Sequence, residues 1–217
     1  MYSRISAYKN TISKATLRTE EKDAVLEAIE SRSISSDQTT EAFEDALTNS
    51  FNRKYCIVVN SGTSALYLSL KALEIEKVIL PSVTCIQVLN LVLNAGSKPI
   101  FADIDAETHN IDLHTLSKRQ LDEADGIIVT QAYGHSADMN VLEYYVNNYH
   151  LSLIEDFAQA MGGYFKNRLL GSFGRASMTS FYATKNMTTC HGDAILTDDS
   201  QVYQKCLYAR GDRVSNV

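Results

Sequence analysis

From Tyr55 onward the chain alternates short apolar runs with longer amphipathic ones, and this rhythm constrains the fold more than any single motif. "YCIVVN", "KVILP", "KPIFADI", "GIIVTQ", "LSLIED", "MTSFYA" and "DAILTDD" read as strands. Interleaved with them, "SGTSALYLSLKAL", "VTCIQVLNLVLNAG", "DLHTLSKRQL", "DMNVLEYYVNNY" and "SQVYQKCLYARG" read as helices. A strand that is apolar throughout must be covered on both faces. Strands of that kind alternating with helices predict the α/β class: three layers, α/β/α, around a mostly parallel central sheet. Ligands of such sheets bind beyond the carboxyl ends of the strands.

The segment before this rhythm is simpler. Residues 1–18 read as an irregular N-terminal arm. "TEEKDAVLEAIES" reads as a helix, with Thr19 placed to cap it, Glu20 and Glu21 in the first turn, and Val25, Leu26 and Ile29 on one face. "TTEAFEDALTNSF" reads as a second amphipathic helix. A length of 217 residues predicts one domain, or one plus a fragment, and the resemblance described below implies a large domain over 19–217. A hydrophobic fraction of 45% is enough for a sizeable core. A net charge of −6 without a basic stripe argues against nucleic acid as a partner. The N-terminus has no apolar signal region and no apolar stretch reaches membrane-spanning length, so no membrane association and a cytoplasmic location are expected. Cys56, Cys85, Cys190 and Cys206 show neither a CxxC nor a metal spacing. Cys56 and Cys85, in apolar surroundings, read as buried thiols, as in a reducing compartment.

Three strand ends carry chemistry. "NSGTSAL" places Gly62, Thr63 and Ser64 between a strand and a helix start, where free N–H groups, hydroxyls and the positive helix end favour an anion such as phosphate; an ordinary N-cap has the same sequence. "LSLIEDFAQA" runs a buried strand into Glu155 and Asp156, which is costly unless the carboxylates meet a cation or donors. Gln159 follows three residues after Asp156. "SFYATKN" sets Lys185 just after another strand, with Asp193 the nearest carboxylate in sequence. Alone it reads as a solvated loop lysine. Together the three segments are the parts pyridoxal 5'-phosphate requires: an amine for its aldehyde, an acid for its ring nitrogen and a cradle for its phosphate.

The chain resembles the DegT/StrS-type aminotransferases, pyridoxal-phosphate enzymes of the aspartate-aminotransferase superfamily that aminate keto-sugars, in most cases nucleotide-linked. The resemblance runs from about Leu17 to the C-terminus. It is carried by "FEDALTNSFNRKYCIVVNSGTSALYLSL", "VILPSVT", "NAGSKPIFADIDAETHNID", "AYGHSADM", "IEDFAQAMGGYFKNRLLGSFG" and "SFYATKNMTT". It implies that Lys185 forms the Schiff base, Asp156 lies under the pyridine nitrogen, and Gln159 lies near the phenolic oxygen. Gly62, Thr63 and Ser64 would form the phosphate turn, with Ser180 adding a further phosphate contact. The implied reaction is a ping-pong transamination, with glutamate the expected amino donor and the keto-sugar the acceptor, in a homodimer whose active sites are shared between subunits.

Three departures stand out. Cys85 occupies the position where many relatives carry an aromatic or histidine stacked on the ring. "TTCHGDAI" puts Cys190, His191 and Asp193 where a glycine-rich, glutamate-containing turn is usual. Relatives are close to twice this length, so the small C-terminal domain is expected to be absent, "LYARGDRVSNV" marking the crossing into it, and a separate chain is an expected source of the missing half. Two rivals follow: a non-catalytic subunit of the same fold, favoured by the departures, and a sugar dehydratase of the same superfamily. Dehydrating relatives generally carry histidine in place of Lys185. Tyr133 and His135 either line the pocket or shape a turn; Asp103 and Asp105 read as a polar loop exit rather than a metal site. No metal is expected.

Overall fold

A computed structural model of the chain describes residues 15–32 and 38–211. Most of the expected arm and the end of "LYARGDRVSNV" lie outside the described residues. Helix α1 spans Thr19–Glu30 and α2 Gln38–Phe51. The alternating region then gives β1 (Tyr55–Val59), α3 (Gly62–Ala72), β2 (Lys77–Pro81), α4 (Ile86–Asn94), β3 (Lys98–Ala102), α5 (Lys118–Asp122), β4 (Gly126–Thr130) and α6 (Met139–Tyr149). It continues with β5 (Ser152–Asp156), a hairpin of β6 (Tyr164–Phe165) and β7 (Arg168–Leu169), then β8 (Ala176–Ser180), β9 (Asp193–Thr197) and α7 (Ser200–Arg210).

Seven strands form one sheet in the order β1-β9-β8-β5-β4-β2-β3. The pairs from β8 through β5, β4 and β2 to β3 are parallel. β9 runs antiparallel to both neighbours, β1 and β8. The strand alternation sorts side chains into two layers. Ile57, Leu80, Ile128, Ile154, Met178 and Ile195 pack under α3, α4 and α7. On the opposite face Ile79, Ile127 and Leu153 meet α5 and α6, while Cys56, Ala194 and Leu196 meet Leu47 and Phe51 of α2. The expected three-layer, mostly parallel α/β/α architecture is therefore present.

Several local expectations are corrected. "DLHTLSKRQL" is not one helix: a 3-10 turn at Leu113–Thr115 ends before Ser117, whose side chain caps α5 by accepting from Gln120 N–H. "MTSFYA" stops being a strand after Ser180, because Tyr182 begins a turn closed by Lys185 N–H donating to its carbonyl (2.9 Å). Thr19 lies inside α1 rather than at its cap, and Arg18 N–H donates to Glu21 Oε2 (2.6 Å). Val25, Leu26 and Ile29 do share a face, but all three are exposed. Cys56 is buried as expected; Cys85 is exposed, because α4 starts only at Ile86 and leaves Cys85 outside it as the N-cap. Among the described residues no helix is long and apolar enough to cross a membrane, and no group of ligands could hold a metal. Asp105 instead closes its own turn, accepting from Thr108 N–H (2.7 Å).

Candidate active site

Register explains why the candidate residues meet. Thr130, Asp156 and Ser180 end three parallel strands, each two residues beyond Ile128, Ile154 and Met178 of the layer under α3. A period of two keeps them on that same face. The phosphate turn opens α3 directly after β1. One face of one sheet edge therefore gathers Asp156, Ser180 and the helix start, and the turn after β8 adds Lys185.

Glu155 and Asp156 are adjacent and do different things. Glu155 points to the opposite face and is fully buried. It accepts from Gly171 N–H (2.8 Å), Phe173 N–H (3.0 Å), Gln131 Nε2 (3.1 Å) and the Ser177 hydroxyl (3.3 Å). This carboxylate pins a loop. Asp156, 9% exposed, accepts only from Ala158 N–H (3.0 Å) among the described residues. Burial pushes its pKa up; the Ala158 bond and the Lys185 charge oppose this, and Glu155 adds to it. An acid buried with a single neutral donor is suited to a cationic ring N–H, the group that a protonated pyridine presents.

Gln159 is oriented by the backbone. Tyr133 N–H donates to its Oε1 (3.1 Å), which fixes the amide assignment and leaves Nε2 as a donor. Tyr133 sits in a 3-10 turn at Ala132–Gly134 with a φ of 53° and is exposed. Its backbone thus aims Gln159. His135 and His191 are exposed, the latter edge-on to Tyr182 at 5.3 Å.

The phosphate turn departs from expectation at one residue. Gly62 and Thr63 begin α3, so helix geometry gives their N–H groups no intrahelical acceptor. Ser64 N–H is already used, donating to the Ser61 carbonyl (2.9 Å) and Oγ (3.3 Å), and its hydroxyl donates to Asn60 Oδ1 (2.7 Å). Asn60 was not singled out in the sequence. Thr63 and Ser64 also border a cleft of about 1260 Å³, shared with Tyr67, His191, Gly192 and Arg210. Lys185, Asp156 and Gln159 are outside its walls. Cys85 begins α4 beyond the end of β2, exposed. A buried acid, an aimed amide donor, a lysine and a helix start whose first two N–H groups have no intrahelical acceptor fit a phosphorylated pyridine aldehyde.

Comparison with known proteins places this geometry. The model of the DegT/DnrJ/EryC1/StrS aminotransferase family matches residues 15–214. The chain is 33% identical over 200 residues to the GDP-perosamine synthase of Escherichia coli O157:H7, covering 90% of this chain and 55% of that protein. The structure of Helicobacter pylori PseC, an aminotransferase involved in the biosynthesis of pseudoaminic acid, superposes with a TM-score of 0.83 at 30% identity, over 90% of this chain and 54% of that one. GDP-4-keto-6-deoxymannose-3-dehydratase (ColD) shares the fold, with a TM-score of 0.85 at 24% identity over 90% of this chain and 53% of that one. The chain thus spans about half the length of the relatives it matches. By the extent of the family match and by its architecture, the chain belongs to the DegT/DnrJ/EryC1/StrS aminotransferase family.

Proposed function

We propose that the chain carries the pyridoxal-phosphate site of a sugar aminotransferase, which moves the amino group of an amino acid, glutamate being the expected donor, to a nucleotide-linked keto-sugar. The observation that supports this most is Asp156: a carboxylate buried on the same sheet face as the α3 helix start, with one backbone donor and with Lys185 acting on it. When bound, pyridoxal phosphate supplies a ring that accepts the electron pair released at the carbon bearing the nitrogen. Asp156 would hold a proton on the ring nitrogen. Gln159 Nε2 would donate to the ring oxygen. The N–H groups of Gly62 and Thr63 and the Ser180 hydroxyl would hold the phosphate, Ser64 joining after releasing Asn60. Cys85 would contact the ring face. Lys185 Nζ would hold the cofactor's aldehyde carbon and, once displaced from it by the donor's amine, would carry the proton between substrate carbon and cofactor.

Lys185 favours transfer over the dehydration reading, since an amine can serve as both nucleophile and proton carrier. The test is nitrogen transfer. The chain, loaded with pyridoxal phosphate, is given glutamate and a GDP-linked keto-sugar, and 2-oxoglutarate and amino-sugar are measured. Both are expected, and Lys185→Ala should lower the rate by at least about a hundredfold. Cofactor binding without nitrogen transfer from any amino acid would support the non-catalytic subunit instead.

A further inference from the structure

Asp193 is a second buried acid at this sheet edge, and the proposed transfer makes no use of it. β9 runs antiparallel, so its first residue lies at the carboxyl edge of the parallel strands, in register between Val59 of β1 and Ser180 of β8. Two residues before Ile195, it faces the same layer as Asp156 and Ser180. Asp193 is 3% exposed. Among the described residues its Oδ1 has no hydrogen-bond partner. Ser180, its partner across the ladder, carries the hydroxyl that favours its charged form; Lys185 acts the same way through space, and Asp156 opposes it.

Ser180 has one proton to give. Its Oγ accepts from Tyr182 N–H (3.4 Å), and against an ionised Asp193 it must donate. A phosphate dianion also only accepts. If Ser180 turns its proton to the phosphate, an ionised Asp193 is left buried, without that donor, beside the dianion and near Asp156. A protonated Asp193 removes the conflict, because its O–H can donate to Ser180 or to the phosphate.

We propose that Asp193 takes up a proton from solvent when the cofactor's phosphate binds, so that this site holds its cofactor tightly near neutral pH and releases it in alkaline solution. The inference rests on the cofactor reading above. Burial pushes the Asp193 carboxyl up to about 7, and the charge of Asp156 adds to this, while the Ser180 bond and Lys185 oppose it. The neutral form is therefore within reach at ordinary pH. The other elements around it are accounted for. β1 offers Val59 opposite Asp193, and α3 begins with the uncharged Gly62, Thr63 and Ser64. At the end of α7, Arg210 donates to the Val58 carbonyl (2.9 Å) and pairs with Glu44 of α2. Cys190 and His191 precede Asp193 in its own loop and are exposed.

The test is the pH dependence of binding, with pyridoxine 5'-phosphate as probe because it carries the phosphate and has no aldehyde to react with Lys185. Its Kd is measured between pH 6.5 and 9 for the wild-type chain and for Asp193→Asn, whose amide can donate at every pH. The quantity read is the ratio of wild-type to variant Kd, in which the probe's own ionisation cancels. The ratio should rise about tenfold per pH unit above roughly pH 7. In the wild-type chain alone, calorimetry in buffers of different ionisation enthalpy at pH 8 should show uptake of about one proton per probe bound. A flat ratio, or no proton uptake, overturns the inference and leaves the cofactor reading intact. No binding of the probe or of pyridoxal phosphate at any pH overturns both.

Discussion

At the scale of the residue, three acids at one edge of a sheet, Glu155 on one face and Asp156 and Asp193 on the other, differ in the donors they meet. Glu155 accepts from backbone N–H groups, a side-chain amide and a hydroxyl. Asp156 has one donor, and Asp193 has an oxygen with none among the described residues. Under-satisfied buried carboxylates oppose folding once ionised. For Asp193 the sign is fixed by a folded pKa of about 7 against an unfolded value near 3.8. The native state keeps its proton longer than the unfolded chain, so stability is lost as pH rises from roughly 4 through 7. Asp193→Asn should therefore stabilise the chain more at pH 8 than at pH 5, by on the order of 2 kcal/mol, in urea unfolding at the two pH values. An equal effect at both would mean that Asp193 is not held neutral. The sequence marked Asp193 only as the acid nearest Lys185 and as a departure from the family turn. Its burial was not legible, because an aspartate opening "DAILTDD" has the look of a turn residue until the pairing of β9 with both β1 and β8 is known.

At the scale of the element, the strand ends organise the site, and the loops are tied to them by polar side chains. Glu155 joins β5 to the loop at Gly171, Phe173 and Gly174, and through Gln131 to the end of β4. Gln131 Oε1 in turn accepts from Ala137 N–H (2.8 Å). Removing the carboxylate strands several buried donors at once, each costing about 1–3 kcal/mol. Glu155→Ala should lower unfolding stability by more than roughly 3 kcal/mol, and a change below about 1 kcal/mol in denaturant titration would contradict this role. The order of strands and helices was readable from apolar runs because every central strand is buried on both faces. The direction of β9 was not, since an apolar strand reads the same whichever way it runs. The division of "DLHTLSKRQL" depended on Ser117, whose capping bond to Gln120 outweighs the helical pattern around it. Lys185, Asp156, Gln159 and the phosphate turn were picked out as candidates by residue type and spacing, and the roles proposed for them came from the family resemblance. That Ser64 is held by Asn60 and Ser61, and that Tyr133 N–H aims Gln159, depends on tertiary placement that no spacing carries.

At the scale of the whole molecule, the described residues form a seven-stranded sheet with helices on both faces and a small β6–β7 hairpin, and the candidate site lies along the carboxyl edge of the large sheet. Val25, Leu26 and Ile29 of α1 lie exposed on one side of their helix, in a chain that spans about half the length of its relatives. What unites sequence, fold and family is a single claim: the edge is built to hold pyridoxal phosphate covalently on Lys185. The most direct measurement is to incubate the chain with pyridoxal phosphate near pH 7, reduce with borohydride, and locate the added pyridoxyl group by peptide mass spectrometry, with Lys185→Ala alongside. The account predicts one modified peptide, containing Lys185, and no stoichiometric labelling of the variant. Labelling spread over other lysines, or equal labelling of Lys185→Ala, would contradict it.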